Sequence, residues 1–215
     1  IGGQPISMKN IKEVCALCRE NGIRTVIDAS LMQDNLYFIK VREPEYKDVP
    51  LKDIMHELAD ISDIIYFSAR KLGFSRGGAI ITKHENIYRE MMEFIPLYEG
   101  FLTYGGMEVR SMEAMAQGLY ESLDMEIISQ GPLFIEYLVK ELDDYGVPMV
   151  KPAGGLGAHI NASAFLPDMP HNVYPAAALA AAVYIAGGIR GMERGTLSEQ
   201  REEDGTERYA ELELL

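Results

Sequence analysis

Three side chains suited to chemistry stand together in "IIYFSARKLGFSRGG", residues 64–78: Ser68, Arg70 and Lys71 follow directly on an apolar run over 64–67. β-branched and aromatic residues in a short continuous block predict a buried strand, and Gly77-Gly78 predict a turn soon after. A lysine at the end of such a strand has two readings. Either the chain surfaces at Arg70 and both charges sit in water, or one charge is kept inside for chemistry despite the desolvation of an ammonium. A second β-rich run, "IRTVID", ends in Asp28. In one parallel sheet, Asp28 and Lys71 would share the carboxyl edge, where open α/β sheets collect ligands. An acid, an amine and a serine three residues before the amine suit pyridoxal phosphate. The lysine would bind the aldehyde as an imine, and the aspartate would keep the pyridine nitrogen protonated so that the ring draws electrons. The Ser68 hydroxyl and nearby N–H groups would help hold the phosphate. Each residue also has a plainer role open to it: Asp28 as a cap or turn residue, Ser68 as a satisfied core hydroxyl, Lys71 as a surface amine.

The elements that must position these residues follow from periodicity. "SMKNIKEVCALCRENG" predicts a helix, with Ser7 as N-cap, Gly22 just past its end, and Ile11, Val14, Cys15 and Cys18 at helical spacing. A second helix is expected over 51–59, with Pro50 at its start. The strand over 64–67 follows, then the glycine turn and a further strand, "AIIT". Helix, strand, helix, strand, strand predicts an α/β sheet of largely parallel strands. Beyond Thr82 the pattern turns helical in "HENIYREMMEF", "MEVRSMEAMAQGLYESL" and 126–145, the last with a break expected at Gly131-Pro132. "YEGFLTYGG" reads as a loop between the first two. From "GVPMVKPAGG" onward short strands and glycines take over, placing a domain change near 146–152. The charged "EQREEDGTER" reads as a solvated loop.

Composition bounds the function. The 215 residues are 47% apolar and 25% charged, as in an ordinary globular protein. A net charge of −13 argues against nucleic acid or an anionic membrane as partner, since both need clustered cations. No apolar stretch approaches the roughly 20 residues of a membrane span, and "PAAALAAAVYIAGG" reads as a packed helix. With no visible secretory signal, a cytoplasmic address is expected. Cys15 and Cys18 form C-x-x-C inside a helix rather than after a strand, which predicts buried thiols, and no second pair completes a zinc site. No metal site is expected. The opening "IGGQP" and the strand-like alternation of the closing "AELELL" read as a piece of a longer polypeptide.

"GGQPISMKNIKEV", "IDAS…DNLYFIK", "FSARK…GG", "YEGFLTYGG", "RSMEAMAQGL", "YPAAALAAAVY" and "GIRGMERG" occur in this order. This series resembles the aromatic amino-acid β-eliminating lyases, the tyrosine phenol-lyase and tryptophanase family of fold-type I pyridoxal-phosphate enzymes. The resemblance implies the second part of a three-layer α/β/α cofactor-binding large domain over 1–147 and the beginning of an α+β small domain over 148–215. It implies Lys71 as Schiff-base lysine and Asp28 as pyridinium partner, with Ser30, Ser68 and Arg70 among the cofactor contacts. Arg70 stands where the family usually has a second lysine, so the positive charge is kept. Tyr104 matches the tyrosine of the "YGG" loop and joins Lys71 as an expected catalytic residue. Arg194 aligns with an arginine that tyrosine phenol-lyases use near the phenol hydroxyl. A salt bridge to a nearby carboxylate is its plainer alternative.

Three departures stand against the family's pattern. Asp28, Ala29 and Ser30 are followed by Leu31, where the family has an arginine beside the cofactor's phenolic oxygen. The segment from Lys71 to Gly77 is one residue short and carries Arg76, whose guanidinium would replace the family's monovalent cation and remove the need for potassium. The family's "GGH" reads Gly154, Gly155, Leu156 here, with His159 three positions later. The resemblance implies β-elimination on an aromatic or related amino acid, with Lys71 also as base at Cα, releasing pyruvate and ammonia from a homodimer or homotetramer. Two other readings stay open: a diverged aldolase or transaminase, and a non-catalytic truncated paralogue acting as an oligomerisation or binding chain. The phosphate loop, the general-acid tyrosine and the carboxylate-binding arginine fall, by resemblance, outside these residues, so the segment alone is expected to be inactive.

Overall fold

The first helix begins where the sequence offers a hydroxyl: the Ser7 side chain accepts from the Asn10 N–H at 3.1 Å and opens α1 (Met8–Glu20). The computed structural model describes residues 3–195, 202–205 and 214–215. α1 closes at Asn21, and Gly22 takes φ +66°, a left-handed turn that needs no Cβ. Cys15 is buried and Cys18 half-buried on this helix, both as free thiols. Val14, expected on the same face, is exposed.

The sheet has the order β1 (Val26–Asp28), β2 (Ile64–Ser68), β3 (Gly78–Thr82). β1 and β2 are parallel, with Val26 opposite Ile64 and Asp28 opposite Tyr66. β2 and β3 are antiparallel, with Ile64 opposite Thr82 and Ser68 opposite Gly78. The sheet is therefore mixed rather than largely parallel. The reason is the length of the 69–77 connection: a parallel return needs a crossover of about a dozen residues or more.

Between β1 and β2 the chain forms α2 (Met32–Arg42), a 3₁₀ turn at Pro44–Tyr46 and α3 (Leu51–Ile61). α2 is absent from the sequence reading. Its buried residues Met32, Gln33, Leu36, Phe38 and Ile39 do not form one clean stripe, and Leu31 at its N-cap has no capping side-chain bond. Met8 of α1, Leu36 and Ile39 of α2, and Ile54 and Leu58 of α3 pack with Phe67 of β2 in the main core. The sheet turns Ile27, Ile65 and Ala79 toward the same cluster, while Val26, Tyr66 and Ile80 alternate onto the other face and are exposed.

After β3 come α4 (Glu85–Met92), α5 (Ile95–Tyr98), α6 (Val109–Glu121) and α7 (Met125–Ile128). α8 (Gln130–Asp144) starts after a break at Ser129 rather than at Gly131-Pro132. Those two residues lie in its first turn, where a missing N–H is not needed.

The chain forms two compact units, 5–131 and 132–215 together with 1–4. In the second, Asn161 caps α9 (Ala162–Phe165), and the alanine-rich run forms α10 (Pro175–Gly187). Ala162, Ala176 and Leu179 form one buried cluster in this unit. Among the described residues the short strands expected here are single bridges, Met149 with Ile160, Asn161 with Leu214 and Arg194 with Leu214. The charged run over 199–208 lies outside the described residues apart from 202–205, and the closing "AELELL" apart from 214–215. Among the described residues no helix is long and apolar enough to cross a membrane.

Candidate active site

Because β1 and β2 are parallel, their last residues, Asp28 and Ser68, lie at the same edge of the sheet. Ser30 ties the two strand ends together. Its buried hydroxyl accepts from the Ser68 N–H at 3.1 Å, and its own N–H donates to Asp28 Oδ1 at 3.0 Å. The bond back to Asp28 is the local turn that aspartates favour after a strand, so the turn role and an available carboxylate coexist. Hydrogen bonding from the Ser30 side chain holds the Asp28 carboxyl below the usual carboxylate range. Partial desolvation opposes this, and the Ser30 N–H, Tyr66 and the positive charge of Lys71 add to it. In return, the Asp28 carboxylate pushes the Tyr66 phenol above its ordinary value.

Past Ser68 the backbone makes a tight turn. The Lys71 and Leu72 N–H groups both donate to the Ser68 carbonyl at 3.1 Å, and the Ala69 N–H donates to the Gly77 carbonyl at 2.9 Å. Ala69 and Leu72 point into the core, while Arg70 and Lys71 are exposed. The chain thus surfaces at Arg70, the first of the two readings of the cationic pair. The Lys71 carbonyl accepts from Gln33 Nε2 at 3.1 Å. The rest of the loop is fastened to α6 and to the segment before it. A Cβ at Gly118 would stand 1.9 Å from the Gly73 carbonyl oxygen, so the approach of loop to helix requires glycine there. Ser75 Oγ donates to the Ser111 carbonyl at 3.1 Å, and Met107 packs over Gly77.

Tyr104 lies in the loop between α5 and α6, half-exposed, its ring stacked on Phe101 with centroids 5.2 Å apart. Met107 carries that loop to Gly77, next to the lysine turn. Arg76 is exposed and helps hold the Glu108 carboxyl low, behind the larger effects of Ser111 and Arg110. Asp28, Ser30, Ser68, Arg70, Lys71 and Tyr104 all belong to the unit over 5–131. Arg194 belongs to the other unit, where it is exposed and exchanges backbone hydrogen bonds with Leu214. The sequence reading missed Tyr66 and Gln33. Strand alternation would have put Tyr66 on the face of Asp28 once the register was known, whereas Gln33 lay in the helix that went unread.

A family model described as Beta-eliminating lyase matches residues 1–215. The chain is 42% identical over 216 residues to the tyrosine phenol-lyase of Pasteurella multocida, covering 100% of this chain and 47% of that protein. It is 40% identical over 215 residues to the tryptophanase of Salinibacter ruber, covering 100% of this chain and 46% of that protein. The chain spans about half the length of the curated relatives it matches. Among solved structures it is similar to a protein provisionally assigned as an aromatic amino acid β-eliminating lyase/threonine aldolase from Exiguobacterium sp. 255-15. There the TM-score is 0.56 and the identity 20%, over 76% of this chain and 43% of that one. A protein provisionally assigned as an L-allo-threonine aldolase from Listeria monocytogenes gives a TM-score of 0.58 and 17% identity, over 90% and 48%. At these identities the two structures show a shared fold.

Proposed function

The chain belongs to the β-eliminating lyase family, and from that premise we propose that the carboxyl edge of β1 and β2 is the pyridoxal-phosphate site of a carbon–carbon lyase. Its substrate is an aromatic or related amino acid, and its products include pyruvate and ammonia. The observation that carries this reading is the Ser30 bridge, which sets an ionised Asp28 beside the turn that bears Lys71. The donor set fits the cofactor: an exposed amine for an aldehyde, a carboxylate held below its usual range for a cationic ring nitrogen, and hydroxyl groups with a guanidinium for a phosphate. When bound, pyridoxal phosphate supplies an electron sink for the pair left on Cα after its proton is removed.

The chain's own residues do the rest. Asp28 stays ionised at neutral pH and orients the ring through its nitrogen. Ser68 and Arg70 offer an O–H and a fixed positive charge to the phosphate, with Ser30 keeping Ser68 in register with Asp28. Lys71 takes the proton from Cα as general base, a role that suits an amine on a held backbone. Tyr104 acts with it from the neighbouring loop. Leu31 leaves no guanidinium at its position, so the cofactor's phenolic oxygen is tuned by other groups, and Arg76 supplies the positive charge of a monovalent cation. On this reading 1–147 belong to the large domain of a three-layer α/β/α architecture and 148–215 begin an α+β small domain, in a homodimer or homotetramer.

Borohydride reduction of the full-length, cofactor-loaded enzyme followed by peptide mapping tests the site. The cofactor should be fixed to Lys71, and Lys71→Ala should lose both the label and pyruvate release while keeping its fold. Label at a different lysine would overturn the assignment.

A further inference from the structure

We propose that Gln33 is a positioning residue for Lys71: its buried side-chain amide fixes the peptide group from which the lysine side chain departs. This rests on the reading of Lys71 as the cofactor-bearing amine. Gln33 lies in the first turn of α2 and is 8% exposed. Its Nε2 donates to the Lys71 carbonyl at 3.1 Å, across 38 positions of sequence. Its Oε1 is buried and has no hydrogen-bond partner among the described residues.

An amide in that state is a poor choice for stability alone. Burying an unpaired carbonyl oxygen is unfavourable, whereas an apolar side chain of the same shape carries no such penalty. The flanking Met32 and the nearby Leu36 of the same helix are apolar and buried, so the position could hold a methionine. The amide does one thing that a methionine cannot, which is to donate to Lys71.

That bond completes a set. The Lys71 N–H is held by the Ser68 carbonyl at 3.1 Å, and the Lys71 carbonyl by Gln33. Both peptide groups flanking the Lys71 Cα are therefore fixed, although the side chain is exposed. The root of the lysine is rigid and its arm is free. Catalytic geometry depends on such roots, because a misplacement of about 1 Å can cost about 100-fold in rate.

The test uses the full-length enzyme, stripped of cofactor and remixed with pyridoxal phosphate. The rate of covalent attachment at Lys71 is read by borohydride quench and mass spectrometry at 25 °C, beside Tm, kcat and KM. Gln33→Met should keep or raise Tm, slow attachment and kcat by about tenfold, the equivalent of one lost buried hydrogen bond, and leave KM within about twofold. Gln33→Leu likewise has no donor at similar size, and should slow attachment by about as much, which covers a Gln33→Met variant that fails to fold. Gln33→His, whose ring N–H can reach the same carbonyl, should recover part of the rate. Wild-type attachment rates in both donor-less variants, or a loss confined to Tm, would overturn the role of Gln33 while leaving Lys71 in place. Wild-type label on another lysine would instead overturn the site reading beneath it.

Discussion

Gly118→Ala is the sharpest perturbation of the lysine turn that touches none of the proposed chemistry. Gly118 is buried in α6, and a Cβ there would stand 1.9 Å from the Gly73 carbonyl oxygen, 2.4 Å from its carbonyl carbon and 3.0 Å from its Cα. Ordinary contact begins near 3.4 Å, so helix and loop must separate by 1.5 Å, the difference between 3.4 and 1.9. The helix is the stiffer partner, and the loop carries Lys71 two residues before Gly73. Two effects on stability compete. Alanine in a helix interior gains about 1 kcal/mol over glycine, while overpacking costs about 1–3 kcal/mol. The net is a modest loss, up to about 2 kcal/mol. The effect on rate is larger, because a shift of about 1 Å at a reacting group costs on the order of 100-fold. Thermal unfolding and steady-state kinetics of the full-length enzyme should therefore show a Tm lowered by a few degrees beside a kcat lowered by about 10- to 100-fold. Gly131→Ala is the control, since its Cβ meets nothing closer than Asp34 Oδ1 at 3.9 Å. It should leave kcat unchanged. A Gly118→Ala enzyme with raised Tm and wild-type kcat would refute the claim that the approach of α6 to Gly73 sets the place of Lys71.

Asp28→Asn keeps the shape of the turn and removes its charge, so kcat should fall by about 100- to 1000-fold, as for other lost electrostatic stabilisers, with circular dichroism unchanged. Near-normal turnover would reduce Asp28 to a turn residue. Ser30→Ala removes the largest influence that holds the Asp28 carboxyl low, so that carboxyl returns toward its usual range. A depressed carboxylate contributes stability above its unfolded pKa and loses it as pH falls through the folded one. The acid limb of the pH–rate profile and the acid-unfolding midpoint should therefore both move to higher pH in Ser30→Ala, and an unshifted limb would count against the bridge. Replacing potassium by sodium at constant ionic strength should leave activity unchanged, because a cation beside Arg76 would be repelled by about 4 kcal/mol at 4 Å and an effective dielectric near 20. Activation of several-fold by potassium would place Arg76 among ordinary surface charges.

What the sequence disclosed and what it hid divide along a physical line. β1, β2 and β3 were legible because each is a short β-branched run, the first two closed by Asp28 and Ser68 and the third opened by a glycine. The shared edge of Asp28 and the lysine turn followed from them. The direction of β3 was also written in the chain, in the brevity of 69–77, but it is a property of connection length rather than of composition. α2 was hidden because burial on several sides erases the stripe by which helices are read, and because Leu31 offers no capping oxygen. With α2 went Gln33. Ser30 was visible only as a small polar residue after Asp28. That its hydroxyl meets the Ser68 N–H depends on two strands lying side by side, which no local pattern encodes. Leu31 and Arg76 have meaning only against a family pattern, since a leucine before a helix and an arginine in a loop are unremarkable by themselves.

Of the two readings of the cationic pair the structure follows the first, with both charges in water, and on the proposed function an exposed lysine is still free to react. Ala69 and Leu72 anchor the turn in the core at 0% and 3% exposure, and Arg70 and Lys71 between them face water. Had the ammonium been buried, the fold would bear the desolvation of an ion with no partner in place. Placing it in water defers that penalty until a bound group can replace the solvent. The order that the proposed catalysis needs is supplied instead around the backbone, by the Ser68 and Gly77 carbonyls and by Gln33 Nε2, each of which already holds a hydrogen bond in the turn. A lysine that must reach one atom, release it and take a proton from another needs few fixed torsions near its Cα and several free ones beyond. The turn over 68–72 provides that division, and on the proposed function the glycine contact with α6 keeps it where Asp28 would act on the same ligand.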